Sequence, residues 1–162
     1  MRFRAAKVND KDAVLALYRG SVGTPFCIWD ASYPGPFEIE RDLAANDLFV
    51  LEEDGGIIGA ISINPENEHD GLDCWSIPGK AGEFSRVVLH PAVRGKHLAK
   101  VLVSNVLSVM KSRGCEVAHI AVAKENLPAW KTYVHFGFQI VDQRKLWGLP
   151  CLFYLCELSL SN

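Results

Sequence analysis

Between His90 and Leu102 the chain reads HPAVRGKHLAKVL. Proline, glycine and basic residues stand between a β-like run, EFSRVVL, and a helical pattern. A helix N-terminus leaves backbone N–H groups unpaired and carries partial positive charge. That makes it an anion site well suited to phosphate. Gly95 lets the backbone bend close to a ligand. Arg94 and Lys96 add charge, and Ala99 is small enough to allow approach. The chemistry on offer is the holding of a pyrophosphate between a strand and a helix. The other reading of the same residues is a plain strand-to-helix turn with solvated basic side chains. The stretch matches neither G-x-x-x-x-G-K-[ST] nor G-x-G-x-x-G, so it is not one of the common nucleotide loops.

Regular elements have to position this mouth. RFRAAK reads as a first strand. Asn9 then caps a helix, with Asp12 at capping-box reach and Val14, Leu15, Leu17 and Tyr18 on one side; Gly20 and Gly23 stop it. The stretch TPFCIWDASYPGPF holds three prolines and four aromatics and is expected to be irregular. FEIERDLAAN is a short helix. DLFVLEED and GIIGAISI are strands joined by Asp54-Gly55-Gly56, a strong hairpin signal. Residues 64–82 read as a long loop, a length that is often functional. EFSRVVL is a strand, and the helix after the mouth carries Leu98, Val101, Leu102, Val106, Val109 and Met110 at helical spacing, with Gly114 closing it. EVAHIAVA is a strand. NLPAWKTYVHF is a helix capped by Asn126 and stopped by Gly137. FQIVDQ and CLFYLCEL are the last strands. The order β-α-α-β-β-β-α-β-α-β-β predicts a mixed α/β fold.

A chain of 162 residues fits one domain over 1–162 and can bury a real core. Hydrophobic content of 49% with 22% charged residues is that of a globular protein. A net charge of -2 argues against a general nucleic-acid binder. Cys27, Cys74, Cys115, Cys151 and Cys156 include no C-x-x-C pair and fit neither a zinc site nor a disulfide framework, so no metal is expected and the thiols read as core residues in a reducing cytosol. The N-terminus lacks the apolar stretch of a signal peptide, and no window approaches the length of a membrane span. The expectation is a cytoplasmic protein with no membrane partner. CLFYLCEL is apolar enough on both faces to need cover, which suggests a homodimer.

With the elements assigned, VVLHPAVRGKHLAKVL resembles the signature of the GNAT acetyltransferases, a strand followed by P-x-x-[R/Q]-G-x-G-x-[G/A] feeding a helix. ENLPAWKTYVHFGF resembles the family's second signature, N-x-x-A-x-x-x-Y-x-x-x-G-F. The likeness covers roughly residues 3–158. One departure is His97, which stands where the family has its middle glycine. A side chain there is tolerable if it points away, because the phosphate donor is the backbone N–H.

The resemblance implies the acyl-CoA N-acyltransferase fold, a mixed, mostly antiparallel central sheet flanked by helices, in a single N-acetyltransferase domain. It implies acetyl-coenzyme A as cosubstrate. The pantetheine arm is expected against the backbone of Val87, Val88 and Leu89. The pyrophosphate is expected at the amides of Arg94, Gly95, Lys96, His97, Leu98, Ala99 and Lys100. The strands EFSRVVL and EVAHIAVA are expected to splay, with the acetyl group in the gap. Asn126 is expected to bond the coenzyme as well as cap its helix.

Tyr133 matches the family tyrosine that faces the coenzyme sulfur. A thiol has a pKa of about 8.5 and tyrosine about 10, so full proton transfer is uphill by roughly 1.5 units, or about 2 kcal/mol. Tyr133 therefore mainly hydrogen-bonds the developing thiolate, or hands over a proton that it regains quickly. Glu83 stands where several family members carry a catalytic glutamate, and it is the first candidate for the base that frees the amine; His119 is the second, with the better intrinsic pKa. The acceptor site falls on the variable loops, where Trp29 and Tyr33 offer aromatic walls and Asp30 negative charge for a cationic amine. The expected activity is transfer of an acetyl group to the primary amine of a small molecule by direct attack. A protein or peptide amine, and a non-catalytic acyl-coenzyme A sensor, are the alternatives.

Overall fold

Two pairs of helices sandwich one sheet because the sheet is apolar on both faces. The computed structural model describes residues 1–64 and 69–161; residues 65–68, within the long loop expected over 64–82, lie outside the described residues. The elements run β1 (Arg2–Ala5), α1 (Lys11–Ser21), α2 (Pro36–Ala44), β2 (Leu48–Glu53), β3 (Gly56–Asn64), β4 (Ala81–Leu89), α3 (Leu98–Ser112), β5 (Val117–Ala123), α4 (Leu127–Phe136), β6 (Gln139–Lys145) and β7 (Leu152–Ser159). Among the described residues the seven strands form one sheet in the order β1-β2-β3-β4-β5-β7-β6. Every pairing is antiparallel except β4 with β5.

One face of the sheet packs on α1 and α2 through Val14, Leu17, Tyr18, Ile39, Leu48, Val50, Ala60 and Val88. The other packs on α3 and α4 through a larger cluster that includes Phe84, Leu102, Val106, Met110, Ile120, Tyr133 and Phe138. The buried α3 side chains Leu102, Val103, Val106 and Met110 are each worth about 1.5–3 kcal/mol by burial. Gly82 lets α3 lie close: a Cβ there would stand 2.7 Å from Met110 Cε and 2.8 Å from Cys115 Sγ.

The irregularity that matters is in β4. Ala60 pairs with Val88 but Ser62 with Ser85, so β4 carries one extra residue, and Arg86 adopts a left-handed φ of 51°. Such a bulge re-aims side chains. Before it, Phe84 lies on the α3/α4 side and Ser85 on the opposite face, bonded to Asn64; after it, Val88 joins the α1/α2 core and Val87 the α3/α4 side.

Local expectations fail where a distant residue intervenes. The N-cap position of the first helix falls one residue later than expected, at Asp10, whose side chain makes no cap hydrogen bond to that helix. Residues Val8–Asp10 form a short 3-10 turn, and Asp10, not Asn9, accepts from the Lys7 amide at 2.7 Å. Arg4 of β1 forks onto Asp10 at 2.7 and 3.0 Å, and that ion pair holds the carboxylate in place. The helix also runs through Gly20 to Ser21. The long loop ends earlier than expected, since Ala81 and Gly82 belong to β4. CLFYLCEL is an interior strand: β7 lies between β5 and β6, hydrogen-bonded on both edges, with Phe153, Leu155 and Cys156 buried. Its Cys156 is buried, while the other four cysteines, all free thiols, are only half-buried rather than core residues.

Candidate active site

The parallel ladder between β4 and β5 is short. It pairs Ala81 with Val117, Gly82 with Ala118 and Glu83 with His119, and ends there. Beyond Glu83 the strands part, as the splay expectation required, so the β5-facing edge of β4 from Phe84 to Leu89 has no strand partner among the described residues. Backbone donors and acceptors need partners. An amide-bearing ligand laid along Val87, Val88 and Leu89 would supply them.

At the far end of β4 the mouth of α3 is open in the same sense. His90 caps the short turn Pro91–Val93 by accepting from the Ala92 amide at 3.1 Å. The Arg94 amide is spent on Pro91 O at 3.3 Å, and the Lys100 amide on His97 O at 3.2 Å. Between them, the amides of Gly95, Lys96, His97, Leu98 and Ala99 enter no backbone hydrogen bond among the described residues. The expected anion contact thus narrows from seven amides to five. Gly95 and His97 are both left-handed, with φ of 79° and 61°, and alternating backbone of this kind gathers N–H groups into an anion-binding nest. His97 is exposed. Arg94 is turned away: its Nη2 donates to Ser21 Oγ at 2.9 Å, at the end of α1. These residues fit a pyrophosphate-bearing cosubstrate.

Where the strands part, Glu83 and Phe84 point to opposite faces. Phe84 meets the α4 side chain Tyr133 edge-on at 5.8 Å, and Phe138 packs against both. Burial, with a smaller contribution from nearby Cys156, pushes the Tyr133 hydroxyl above its ordinary value, so it stays protonated. Burial likewise pushes the Cys156 thiol up to about 12. Asn126 caps α4 as expected, its Oδ1 accepting from the Ala129 amide at 3.3 Å.

On the other face, register aligns a polar row across five strands: Asn64, Glu83, His119, Glu157 and Gln139. Residues 69–80 strap this row. Glu157 accepts from the amides of Ser76 at 3.0 Å and Ile77 at 3.2 Å and from the Ser76 hydroxyl. Trp75 stacks on His119 at 3.7 Å. Burial holds His119 below its ordinary pKa, against the raising influence of Asp70 and Glu157. Glu83, only 3% exposed, faces His69 of the strap. Farther along this face, Asp42 of α2 is fully buried and accepts from Arg86 Nη2 at 2.7 Å and Ser62 Oγ at 2.8 Å.

The expected acceptor residues divide. Trp29 packs edge-on against Tyr18 in the α1/α2 core. Asp30 is occupied within its own turn, accepting from Ser32 N at 2.7 Å, Ser32 Oγ at 2.6 Å and Tyr33 N at 3.0 Å, and the Ser32 bonds hold its carboxyl below the usual range. Tyr33 is exposed, and its hydroxyl accepts from Arg86 Nη1 at 3.3 Å, over the bulge. Sequence reasoning missed His69, Trp75, Asp42, Arg86 and Glu157. Arg86 and Glu157 left a signal, a charged residue inside an otherwise apolar strand, which implies a buried partner. Among the described residues no group of three or more His, Cys, Asp or Glu could hold a metal ion, and no helix is long and apolar enough to cross a membrane.

Residues 15–138 match the model of the acetyltransferase (GNAT) family, so the chain belongs to that family. It is an acetyltransferase, with acetyl-coenzyme A as the cosubstrate the family uses. An acetyltransferase of Pectobacterium atrosepticum is 27% identical over 145 residues, which span 88% of this chain and 90% of that one. Among solved structures, yncA of Salmonella typhimurium with acetyl-CoA has a TM-score of 0.79 at 22% identity, over 100% of this chain and 95% of that one. The ribosomal-protein-alanine N-acetyltransferase of Brucella melitensis has a TM-score of 0.78 at 18% identity, over 98% and 99% of the two chains. Likeness at these identities establishes the fold.

Proposed function

We propose that this acetyltransferase acts on the primary amine of a small molecule, by direct attack on the thioester of acetyl-coenzyme A. The observation that carries the reading is the parting of β4 and β5 immediately after Glu83, with Glu83 on one face of the opening and Tyr133 on the other. The thioester supplies an activated acetyl group.

The chain's residues divide the remaining work. The open edge of Val87, Val88 and Leu89 pairs with the pantetheine amides. The free amides of Gly95, Lys96, His97, Leu98 and Ala99 hold the pyrophosphate, with the Lys96 charge beside them. Asn126 is free to offer its Nδ2 to the coenzyme. Glu83 takes the proton of the incoming ammonium. Tyr133, kept protonated by burial, donates a hydrogen bond to the sulfur as negative charge develops there. Aligned groups of this kind are worth about 10²–10⁴ in rate.

The strap latched by Glu157 over Glu83 supports a small acceptor over a peptide, which would need an open groove. Tyr33 is the acceptor-loop residue whose hydroxyl reaches β4; Trp29 and Asp30 shape the loop that carries it.

The test is release of coenzyme A thiol from acetyl-coenzyme A across a panel of small amines, amino acids, polyamines, aminoglycosides and short peptides, with a no-acceptor blank for the protein's own cysteines. Release with a small amine that drops sharply in Tyr133→Phe is the expected result. Release with peptides alone would move the acceptor to the protein class.

A further inference from the structure

Glu83 has a histidine beside it that belongs to neither family signature. His69, at the start of the strap, is buried, and its Nε2 stands 3.5 Å from Glu83 Oε1. Two indoles hold it there. Trp75 Nε1 donates to the His69 carbonyl at 2.7 Å, and Trp147, in the turn between β6 and β7, lies edge-on to the imidazole at 5.4 Å. Trp147 adopts a left-handed φ of 56°. A bulky residue in that region is an outlier, and such outliers gather at functional sites.

We propose that His69 and Glu83 form a paired base, in which His69 relieves Glu83 of the proton taken from the acceptor amine. This rests on the reading of Glu83 as the base. A lone carboxylate near 4.3 is mismatched to an amine near 10.4 by about six pH units, and an imidazole near 6.5 narrows the gap by about two. The step balances. The ammonium N–H bond breaks as an O–H bond forms on Glu83. That O–H bond then breaks as an N–H bond forms at His69 Nε2. A neutral amine, a carboxylate and an imidazolium remain, and the imidazolium returns its proton to solvent between turnovers. The 3.5 Å separation is an ion-pair distance that closes to a hydrogen bond within a few tenths of an ångström.

The neighbours allow it. Around the pair stand His119 from β5, Asp70 from the strap and Glu157 from β7. Burial lowers the pKa of His119, which makes it a weaker proton acceptor than an ordinary imidazole. Asp70 lies 3.7 Å from His119 Nδ1, and Glu157 is engaged by the Ser76 and Ile77 amides. Glu83 is the carboxylate that balances charge on His69. His69 acts on substrate through Glu83 and is a positioning and relay residue.

Two measurements test it. First, the His69 ring is titrated by NMR in wild type and Glu83→Gln, assigned by the resonance missing from His69→Asn. Loss of the carboxylate should lower the His69 pKa by about one unit or more; an unchanged value overturns the pairing. Second, kcat/KM of acetyl transfer is followed against pH with the best amine of the panel. His69→Asn should lower kcat at least tenfold, move the acid limb to lower pH and leave KM for acetyl-coenzyme A unchanged. If Glu83→Gln loses activity while His69→Asn keeps the wild-type rate and limb, Glu83 stands as the base and the relay falls. If Glu83→Gln itself keeps the wild-type rate, the base reading fails and the relay with it.

Discussion

Tyr133 lies edge-on against Phe84, ring centroids 5.8 Å apart and planes at 63°, and Phe84 is the first residue of β4 beyond its last pairing with β5. The proposed acid is thus seated by the residue that follows the proposed base. Tyr133→Phe keeps the ring and its contacts, so unfolding free energy should stay within about 1 kcal/mol of wild type. The rate is a different matter. kcat should fall about 10²-fold or more, with KM for acetyl-coenzyme A unchanged. Because burial raises the Tyr133 pKa above its usual value of about 10, no loss of wild-type activity from its ionisation should appear below that pH. Steady-state kinetics from pH 6 to 10 check both.

The mouth of α3 makes paired predictions. A Cβ at Gly95 would meet nothing within 4 Å, so the cost of Gly95→Ala is that of its left-handed backbone alone, about 1–2 kcal/mol. His97 already bears that strain, with φ of 61° and an exposed ring. His97→Gly relieves it, and after the extra freedom given to the unfolded chain should gain about 0.5 kcal/mol. Coenzyme A affinity, measured by calorimetry, should weaken in Gly95→Ala and be kept in His97→Gly.

Asp42 and Arg86 stand or fall together. Asp42→Asn leaves a buried guanidinium without its counter-charge and should cost about 3–5 kcal/mol in urea unfolding. Replacing both partners, as in Asp42→Leu with Arg86→Met, should cost much less than the sum of the single changes. An additive double variant would mean that the pair contributes no coupling.

His119 ties stability to pH. Its folded pKa is depressed by burial, so below its unfolded value of about 6.5 the unfolded chain binds the extra proton first. Its contribution is therefore complete above about pH 6.5 and is lost as pH falls from there to the lower folded value. Denaturant midpoints at pH 7.5 and 5.5 should converge in His119→Gln relative to wild type.

The sequence carried the element order, the mouth at residues 94–100 and the Asn126–Gly137 helix, because caps, glycines and periodicity are local. The proposed acid, Tyr133, was legible through a motif on one helix. The surroundings of the proposed base were half legible. Glu83 could be named, but His69, Trp75 and Trp147 converge on it from the strap and from a distant hairpin, with no spacing to betray them. The N-cap position likewise falls at Asp10 rather than Asn9, and Asp10 is held by a residue of another element, Arg4 of β1. Asp30 and Trp29 had the residue types of an acceptor pocket, yet a local turn and a packed aromatic pair account for them.

The bulge at Arg86 gives β4 two phases in one strand. Glu83 and Leu89 have the same parity, so an unbroken pleat would turn them to the same face. The extra residue sets Glu83 under the strap and Leu89 on the side of α3. The length of β4 is consequently under tighter constraint than its composition. A one-residue deletion there would keep nearly every side chain and yet turn one end of the strand inside out, either burying Glu83 among the leucines of α3 or presenting Phe84 to the polar row. Exchange of individual side chains along β4 leaves the two half-sites opposed, whereas drift in its length dismantles them at once.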